Sequence, residues 1–254
     1  MNPVLTFLYR TYQVFIGAPI ALVNSFWAGV STVVGCTLFD SRFWSYYPGL
    51  IWSRVMCAAF FIPVEVIGRE KLDPKASYVF VANHQGSMDI FLVYGFLGHK
   101  FKWMLRKTLR KMFFIGYCCE KAGFIFVDKS SMRGLKETID QARATLQKGM
   151  SLVVFPEGTR TYDGKMIPFN KGAFLLADKL QLPVVPITID GSFEVLPRTR
   201  GMVGFVTRHR MRMTIHDAIP PMGKGQDNMK ELSRLSFEAI NSALPEKHQV
   251  KIEE

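Results

Sequence analysis

The chain has 254 residues, of which 48% are hydrophobic and 21% charged, so it can bury one sizeable core and is not a disordered chain. Its 32 Lys and Arg against 21 Asp and Glu give a formal net charge of +11, which favours polyanionic partners such as nucleic acid, acidic lipid headgroups or acidic carrier proteins. The four cysteines and five histidines do not cluster at metal-ligand spacing, so we predict neither a metal site nor a disulfide framework.

The N-terminal quarter of the chain is strongly apolar. Residues 11–39 carry no charged side chain, and residues 43–64 carry only Arg54. Each stretch is about as long as a membrane-spanning helix, which needs ~20 residues. Prolines and interfacial aromatic residues interrupt both stretches, so a hairpin that enters one leaflet fits at least as well as two full crossings. Core helices of a soluble protein are the alternative. We predict a membrane-associated helical element over residues 1–65.

The remainder, residues 66–254, is predicted to be one α/β domain. From about Ile67 onward, short apolar runs alternate with amphipathic segments, which indicates a mixed central sheet flanked by helices. The predicted strands cover residues 78–82, 123–127, 152–155, 183–189 and 211–215. The predicted helices cover residues 90–97, 135–146 and 229–244, and the second of these forms a strand, helix, strand unit with its neighbours.

The first candidate for chemistry is Asn83-His-Gln-Gly-Ser-Met-Asp89, between a predicted strand and a predicted helix. On a continuous helix, five positions correspond to about 140° of rotation, so His84 and Asp89 could not meet. A turn at positions 85 and 86, with Ser87 as the helix cap, would bring Asp89 under the ring of His84. The alternative is a loop histidine followed by an aspartate favoured by the helix dipole, and the spacing does not choose between them.

A paired His84 and Asp89 would suit activation of a hydroxyl group. A carboxylate that binds one imidazole nitrogen fixes the tautomer and leaves the other nitrogen free to accept a proton. A serine hydrolase is the natural competitor, but the sequence has no Gly-x-Ser-x-Gly elbow, and Ser87 at a helix cap is a poor nucleophile position. A hydroxyl group supplied by the substrate is therefore the better hypothesis.

The second candidate is Phe155-Pro-Glu-Gly-Thr-Arg160, which also follows an apolar strand. Gly158 would let the backbone approach a ligand closely, Thr159 offers a hydroxyl, and Arg160 can bind phosphate through two parallel hydrogen bonds. Glu157 could hold that guanidinium or contact a substrate hydroxyl. The alternative is an ordinary corner after a strand, with an exposed ion pair of little energetic value.

The third feature is a basic run over residues 100–114, interleaved with large apolar side chains. Its cations are Lys100, Lys102, Arg106, Lys107, Arg110 and Lys111. Such a segment could lie on an anionic membrane, with its cations at headgroup level, or could bind nucleic acid. The apolar N-terminal stretches favour the membrane, and a solvated helix face is the alternative for the charges.

Four motifs in chain order resemble those of one known family. Asn83-His-Gln-Gly-Ser-Met-Asp89 resembles the His-x4-Asp (HX4D) signature of the glycerolipid acyltransferases related to 1-acyl-sn-glycerol-3-phosphate acyltransferase, and Phe155-Pro-Glu-Gly-Thr-Arg160 resembles their second main motif. Between them, Gly123-Phe-Ile-Phe-Val-Asp-Lys129 is similar to the family's strand that ends in an aspartate and a basic residue. Val185-Pro-Ile187 is similar to its late Val-Pro motif. The resemblance spans roughly residues 66–190.

This resemblance implies roles for individual residues. His84 would be the general base and Asp89 would orient it, as the two catalytic residues. The implied substrate-binding residues are Glu157, Gly158, Thr159, Arg160, Arg106, Lys107 and Lys129. Arg106 or Lys107 would supply a second phosphate contact, although Thr108 stands where the family usually has a glutamate. Lys129 replaces a frequent arginine, which keeps the charge but loses the planar fork.

The implied function is transfer of a fatty-acyl group from acyl-CoA or acyl carrier protein (acyl-ACP) to the free sn-2 hydroxyl of lysophosphatidic acid, forming phosphatidic acid in phospholipid biosynthesis. The acceptor could instead be glycerol 3-phosphate or another lysophospholipid, and a non-catalytic membrane lipid-binding protein is the alternative from another class. No cofactor is implied beyond the acyl donor as co-substrate. The expected partners are membrane phospholipids and the substrates, not nucleic acid, with the catalytic domain on the cytoplasmic side of the membrane.

Overall fold

A seven-stranded sheet forms the centre of the computed structural model, which describes residues 2–127, 132–200 and 204–251. The strands are β1 (Val64–Ile67), β2 (Val79–Ala82), β3 (Phe101–Arg106), β4 (Ile125–Val127), β5 (Ser151–Val154), β6 (Val184–Asp190) and β7 (Met211–Ile215). Their order in the sheet is β1-β7-β6-β2-β5-β3-β4. Strands β6 and β7 are antiparallel, and the other neighbouring strands are parallel, which confirms the predicted mixed sheet.

Ten α-helices accompany the sheet in the described part of the chain. They are α1 (Pro3–Tyr12), α2 (Ala18–Leu38), α3 (Ser41–Trp44), α4 (Tyr47–Ala59), α5 (Asp89–Phe96), α6 (Ile115–Lys121), α7 (Met132–Thr145), α8 (Gly172–Leu180), α9 (Ser192–Val195) and α10 (Gln226–Ser242). Helices α4 and α5 cover one face of the sheet, while α7, α8 and α10 cover the other. The predicted strand, helix, strand unit is β4, α7 and β5, and it is confirmed.

Strand β2 shows why the central strands are uninterrupted apolar runs. Phe80 and Ala82 pack into the core on one face of the sheet, and Val79 and Val81 pack into the core on the other. All four side chains are fully buried. Because helices cover both faces of the parallel part of the sheet, successive positions must all be apolar, whichever face they point to.

Part of the basic run does not lie on a surface. Residues 101–106 form β3, between β5 and β4, and Phe101, Lys102 and Trp103 are buried. The hypothesis that the whole run rests on a membrane is therefore wrong for this part. The Lys102 ammonium is satisfied inside the protein, because it donates to the Ser45 hydroxyl and, at 2.6 Å, to the Ala122 carbonyl oxygen. Lys100 and the part from Arg106 onward are predominantly exposed.

The two apolar N-terminal stretches have different structures. The first forms one long helical element, residues 3–38, in which a π-helical turn at Gln13–Gly17 joins α1 to α2. Within the described ranges, this is the one helix long and apolar enough to cross a membrane. The second stretch contains α4, whose 13 residues span about 20 Å, less than the ~30 Å of a bilayer core. Helix α4 packs on α5, so the structure does not favour the alternative of two full crossings.

The long N-terminal element is fastened to the rest of the protein through polar side chains. Gln13 is buried, and its amide exchanges two hydrogen bonds with the backbone of Val206, at 2.9 and 2.8 Å. The Tyr12 hydroxyl donates to the Ala59 carbonyl oxygen at 2.9 Å, and the Asn24 amide donates to the Trp52 carbonyl oxygen at 2.9 Å. Many apolar side chains of α1 and α2 stay exposed, as expected for a face that contacts lipid. The boundary between residues 65 and 66 stays a prediction.

Candidate active site

The residues with candidate chemistry lie where four adjacent parallel strands end. Strands β6, β2, β5 and β3 are neighbours, and their carboxyl ends share one edge of the sheet. Three connections leave this edge: the His84 loop (residues 83–89) after β2, the Arg160 turn (residues 155–160) after β5, and the Arg198 segment (residues 191–200) after β6. Ligand sites of open α/β sheets lie at this edge, since the loops there are free to vary.

The fold-back of the His84 loop is observed. Helix α5 begins at Asp89, whose side chain is fully buried, and Asp89 Oδ2 accepts hydrogen bonds from His84 Nδ1 at 2.7 Å and from the Gly86 amide at 2.9 Å. The loop is therefore closed around one carboxylate. The expectation that Ser87 caps the helix is wrong, because Met88 occupies that position and the Ser87 hydroxyl instead accepts a hydrogen bond from Arg160.

His84 is held on three sides. Its backbone N–H donates to Glu157 Oε1 at 2.7 Å, and its carbonyl oxygen accepts from the Thr161 amide at 3.0 Å. Its ring stacks on Phe155, with centroids 4.0 Å apart and ring planes within 9°. The side chain is 15% exposed, and Nε2 makes no hydrogen bond to the described residues. With Nδ1–H bound to Asp89, the Nε2 lone pair can accept a proton.

Gly86 lets the His84 loop approach the Arg198 segment. A Cβ atom at this position would lie 2.7 Å from the Ser192 carbonyl oxygen and 2.8 Å from the Leu196 carbonyl oxygen, closer than any real side chain permits. Gly86 also forms an antiparallel β-bridge with Pro197. The glycine is thus needed for close packing of two backbones rather than for a special backbone conformation.

The Arg160 turn lies directly beside the His84 loop. Arg160 donates through Nη1 to the Ser87 hydroxyl, and Arg106, at the end of β3, donates through Nη2 to the Gly158 carbonyl oxygen. The Thr159 hydroxyl accepts a hydrogen bond at 2.8 Å from Arg198. The structure thus brings together the predicted site residues 157–160 with Arg106. Lys107 begins the short 3-10 helix Lys107–Lys111 next to Arg106, whereas Lys129 lies outside the described residues.

Glu157 does not pair with Arg160, contrary to one sequence-based expectation. Its side chain is buried, and its two carboxylate oxygens accept backbone N–H groups, Oε1 from His84 and Oε2 from Ile167 at 3.0 Å. Burial raises the pKa of Glu157 to about 8, although both hydrogen bonds favour the ionised form. Glu157 therefore joins the Arg160 turn to the backbone of His84.

The raised pKa of Glu157 predicts a pH-dependent stability. Between the ordinary carboxyl pKa and about 8, the folded chain binds more protons at this position than the unfolded chain, so the free energy of unfolding falls as pH rises. We expect wild type to lose on the order of 2–4 kcal/mol relative to Glu157→Gln between pH 5 and pH 8. Urea unfolding of both proteins in detergent micelles measures this difference. If the free energies of unfolding of the two proteins differ by the same amount from pH 5 to pH 8, Glu157 does not titrate in that range.

Three residues that support the His84 loop or the Arg160 turn were not predicted to do so from the sequence. They are Gln85, His248 and Arg198. Gln85 is buried, donates to the Gly164 carbonyl oxygen at 3.2 Å and lies 3.4 Å from Nδ1 of His248, near the end of the described chain. Arg198 contacts the Arg160 turn from the segment after β6. Arg198 follows the predicted strand by nine positions, so nothing local marks either Arg198 or His248 as part of the site.

Comparisons with known proteins identify the family of the chain. Residues 63–190 match the family model described as Acyltransferase. A 1-acyl-sn-glycerol-3-phosphate acyltransferase of Chlamydomonas reinhardtii is 32% identical over 205 residues, which cover 80% of this chain and 59% of that protein. The Saccharomyces cerevisiae protein of the same name is 30% identical over 196 residues, which cover 76% of this chain and 64% of that protein. The matched part is thus less than two thirds of either relative.

A solved structure extends the similarity to nearly the whole fold. The crystal structure of the 1-acyl-sn-glycerophosphate (LPA) acyltransferase PlsC from Thermotoga maritima superposes with a TM-score of 0.71 at 25% identity, covering 94% of this chain and 95% of that one. The four sequence motifs, the family model and the fold therefore agree. The chain belongs to the acyltransferase family and is similar to its 1-acyl-sn-glycerol-3-phosphate acyltransferases.

Proposed function

We propose that the protein transfers a fatty-acyl group from an acyl thioester to the free sn-2 hydroxyl of lysophosphatidic acid, which forms phosphatidic acid. One observation carries the proposal: the His84 and Asp89 pair, with Nε2 of His84 free of described partners, adjoins a turn surrounded by arginine side chains. A general base beside an anion site is the combination that acylation of a phosphate-bearing alcohol needs. The names of the similar proteins support the same substrate class.

The proposed reaction is a direct transfer. Nε2 of His84 takes the proton of the acceptor hydroxyl while the hydroxyl oxygen attacks the thioester carbonyl carbon. Asp89 stabilises the imidazolium that forms, through the 2.7 Å contact with Nδ1. The carbon–sulfur bond then breaks, and the imidazolium returns its proton to the leaving thiolate. The products are an ester and a free thiol, so the scheme needs no acyl-enzyme, metal or further cofactor.

The acceptor phosphate would bind at the Arg160 turn. Among the described residues, the Arg160 guanidinium makes one hydrogen bond, through Nη1 to Ser87, so its other N–H groups can reach a phosphate. Arg106 and Lys107 come from the neighbouring end of β3, and together with Lys129 they remain candidates for further phosphate contacts. Gly158 and Thr159 shape the turn, and Glu157 holds it against the backbone of His84.

The site has to work at a membrane, since the acyl chains hold both the acceptor and the product in the lipid. The exposed apolar face of α1 and α2 would hold the protein there, with the basic domain on the cytoplasmic side. The donor would be acyl-CoA or acyl-ACP, because both are anionic and suit a chain of net charge +11.

A panel of acceptors tests the substrate. The purified full chain in detergent micelles is given labelled acyl-CoA or acyl-ACP with lysophosphatidic acid, glycerol 3-phosphate or phosphate-free monoacylglycerol. We expect lysophosphatidic acid to have the highest kcat/KM and the phosphate-free acceptor to be lower by at least about tenfold, since it leaves the arginines without an anion. A preference for glycerol 3-phosphate, or equal use of the phosphate-free acceptor, would refute the assigned substrate.

A further inference from the structure

Arg198 is a cation of the site that neither the motifs nor their resemblance assigns. It begins the short 3-10 helix Arg198–Arg200, in the connection that follows β6. Strand β6 lies directly beside β2 in the sheet, and β2 leads into His84. Arg198 is 114 positions away from His84 in the sequence, and sheet topology alone brings their segments together.

The Arg198 segment is attached to the His84 loop by backbone contacts. Gly86 and Pro197 form an antiparallel bridge, and the Ser87 amide donates to the Leu196 carbonyl oxygen at 3.4 Å. The position of Arg198 is therefore fixed relative to the loop that carries the proposed general base. A side chain held this way can take part in binding with little loss of conformational freedom.

The guanidinium of Arg198 uses one of its nitrogens to hold the Arg160 turn. Nη1 donates to the Thr159 hydroxyl at 2.8 Å and to the Arg160 carbonyl oxygen at 3.0 Å. The group also lies over the ring of Tyr162, 4.2 Å from its centroid, and the side chain is half-buried. Its Nε and Nη2 make no hydrogen bond to the part of the chain that the structure describes. These two nitrogens form the edge of a guanidinium that can bind a phosphate through two parallel hydrogen bonds.

The charge around the turn is not balanced by the described residues. None of their carboxylates lies within the 4.0 Å ion-pair distance of Arg160 or Arg198. Other arginines do have such partners, as Arg110 has in Glu120 at 2.7 Å. Glu157, the nearest acid in sequence, is buried and occupied by two backbone N–H groups. Arg160 and Arg198 bring two positive charges to the Arg160 turn, so the site favours a dianion.

We propose that Arg198 is a second arginine for the phosphate of the acceptor, holding the Arg160 turn through Nη1 and binding a phosphate oxygen through its Nε and Nη2 edge. This inference rests on the proposed function, because the anion it names is the phosphate of the acylated substrate. Arg198 and Arg160 approach that phosphate from the ends of two different strands, β6 and β5. Such an arrangement selects a phosphate monoester, which offers several oxygens at once.

The test compares Arg198→Gln with a matched control in the same short helix. Arg200→Gln removes the same charge two positions away, but the Arg200 guanidinium donates to the Thr207 hydroxyl, at 2.7 Å, and is exposed. Initial rates of phosphatidic acid formation are measured in micelles with the full chain, while lysophosphatidic acid and the acyl thioester are varied in turn. We expect Arg198→Gln to raise the KM for lysophosphatidic acid about tenfold or more, with kcat and the thioester KM nearly unchanged. Arg200→Gln should resemble wild type in all three constants.

A second variant keeps the test valid if the glutamine protein does not fold. Arg198→Lys retains the charge but loses the planar fork of the guanidinium, so its KM for lysophosphatidic acid should lie between those of wild type and Arg198→Gln. If Arg198→Gln does not fold, the KM of Arg198→Lys should still be higher than that of wild type. Two results would overturn the inference while leaving the proposed function intact: acceptor KM values equal to that of Arg200→Gln, or a fall in kcat with unchanged acceptor KM. A wild type that forms no phosphatidic acid would overturn the proposed function and this inference with it.

Discussion

Replacing His84 with alanine is expected to lower kcat about a thousandfold, with little change in the acceptor KM. General acid–base catalysis contributes ~10²–10⁴-fold, and Nε2 of His84 is the one nitrogen of the dyad that is free to accept a proton. The proposed phosphate site lies elsewhere, at the Arg160 turn, so we expect acceptor affinity to survive. Initial rates of wild type and variant at saturating donor, in the same micelles, measure both constants.

Two further variants control the His84 experiment. Asp89→Asn keeps the volume of a fully buried side chain but removes the charge that holds the imidazolium, and we expect kcat to fall by ~10²–10⁴-fold. His209→Ala removes an exposed histidine whose Nδ1 lies 2.8 Å from the Arg210 carbonyl oxygen, and it should behave as wild type. Wild-type kcat in His84→Ala would show that the proposed general base is wrong.

Replacing Arg160 with alanine is expected to raise the acceptor KM by about 10- to 100-fold and to change kcat much less. A charge-assisted hydrogen bond to a desolvated anion is worth ~1.5–3 kcal/mol, and this interaction is present in both the bound substrate and the transition state. Saturation curves with lysophosphatidic acid as the varied substrate separate the two constants.

Arg110→Ala is the control for the Arg160 experiment. Arg110 carries the same charge, but it is exposed, pairs with Glu120 at 2.7 Å and makes no contact with the Arg160 turn among the described residues. It should leave the acceptor KM close to the wild-type value. An acceptor KM that does not change in Arg160→Ala, or that rises equally in Arg110→Ala, would remove Arg160 from the phosphate site.

The central strands and the first two motifs could be predicted from the sequence for a physical reason. A strand covered on both faces must be a largely apolar run, as in β2, β5 and β6, and such runs are visible without a structure. Each is followed by polar residues that break the run, and in a parallel sheet these breaks meet at one edge. The contact between His84 and Asp89 needed only a fold-back within one short loop, and a turn there could be proposed from the sequence.

Other features depended on contacts between distant parts of the chain. Strand β3 carries Lys102 and Arg106 among large apolar residues, so it resembles a surface segment. Hydrogen bonds to the Ser45 hydroxyl and the Ala122 carbonyl oxygen allow Lys102 to be buried. Helix α4 lies in an apolar stretch of the sequence, yet it packs on α5. Arg198 reaches the site because β6 pairs with β2, and no local pattern encodes the order of strands.

The release of free thiol from an acyl thioester tests the central claim most directly. Purified wild type in micelles is given the donor alone, and lysophosphatidic acid is then added while thiol and phosphatidic acid are measured together. If His84 acts as the general base of a direct transfer, almost no thiol is released before the acceptor is added, and one phosphatidic acid forms for each thiol afterwards. With His84→Ala, both products should form about a thousandfold more slowly. Thiol release without an acceptor, or without matching phosphatidic acid, would contradict the account and indicate a hydrolase or a different acceptor.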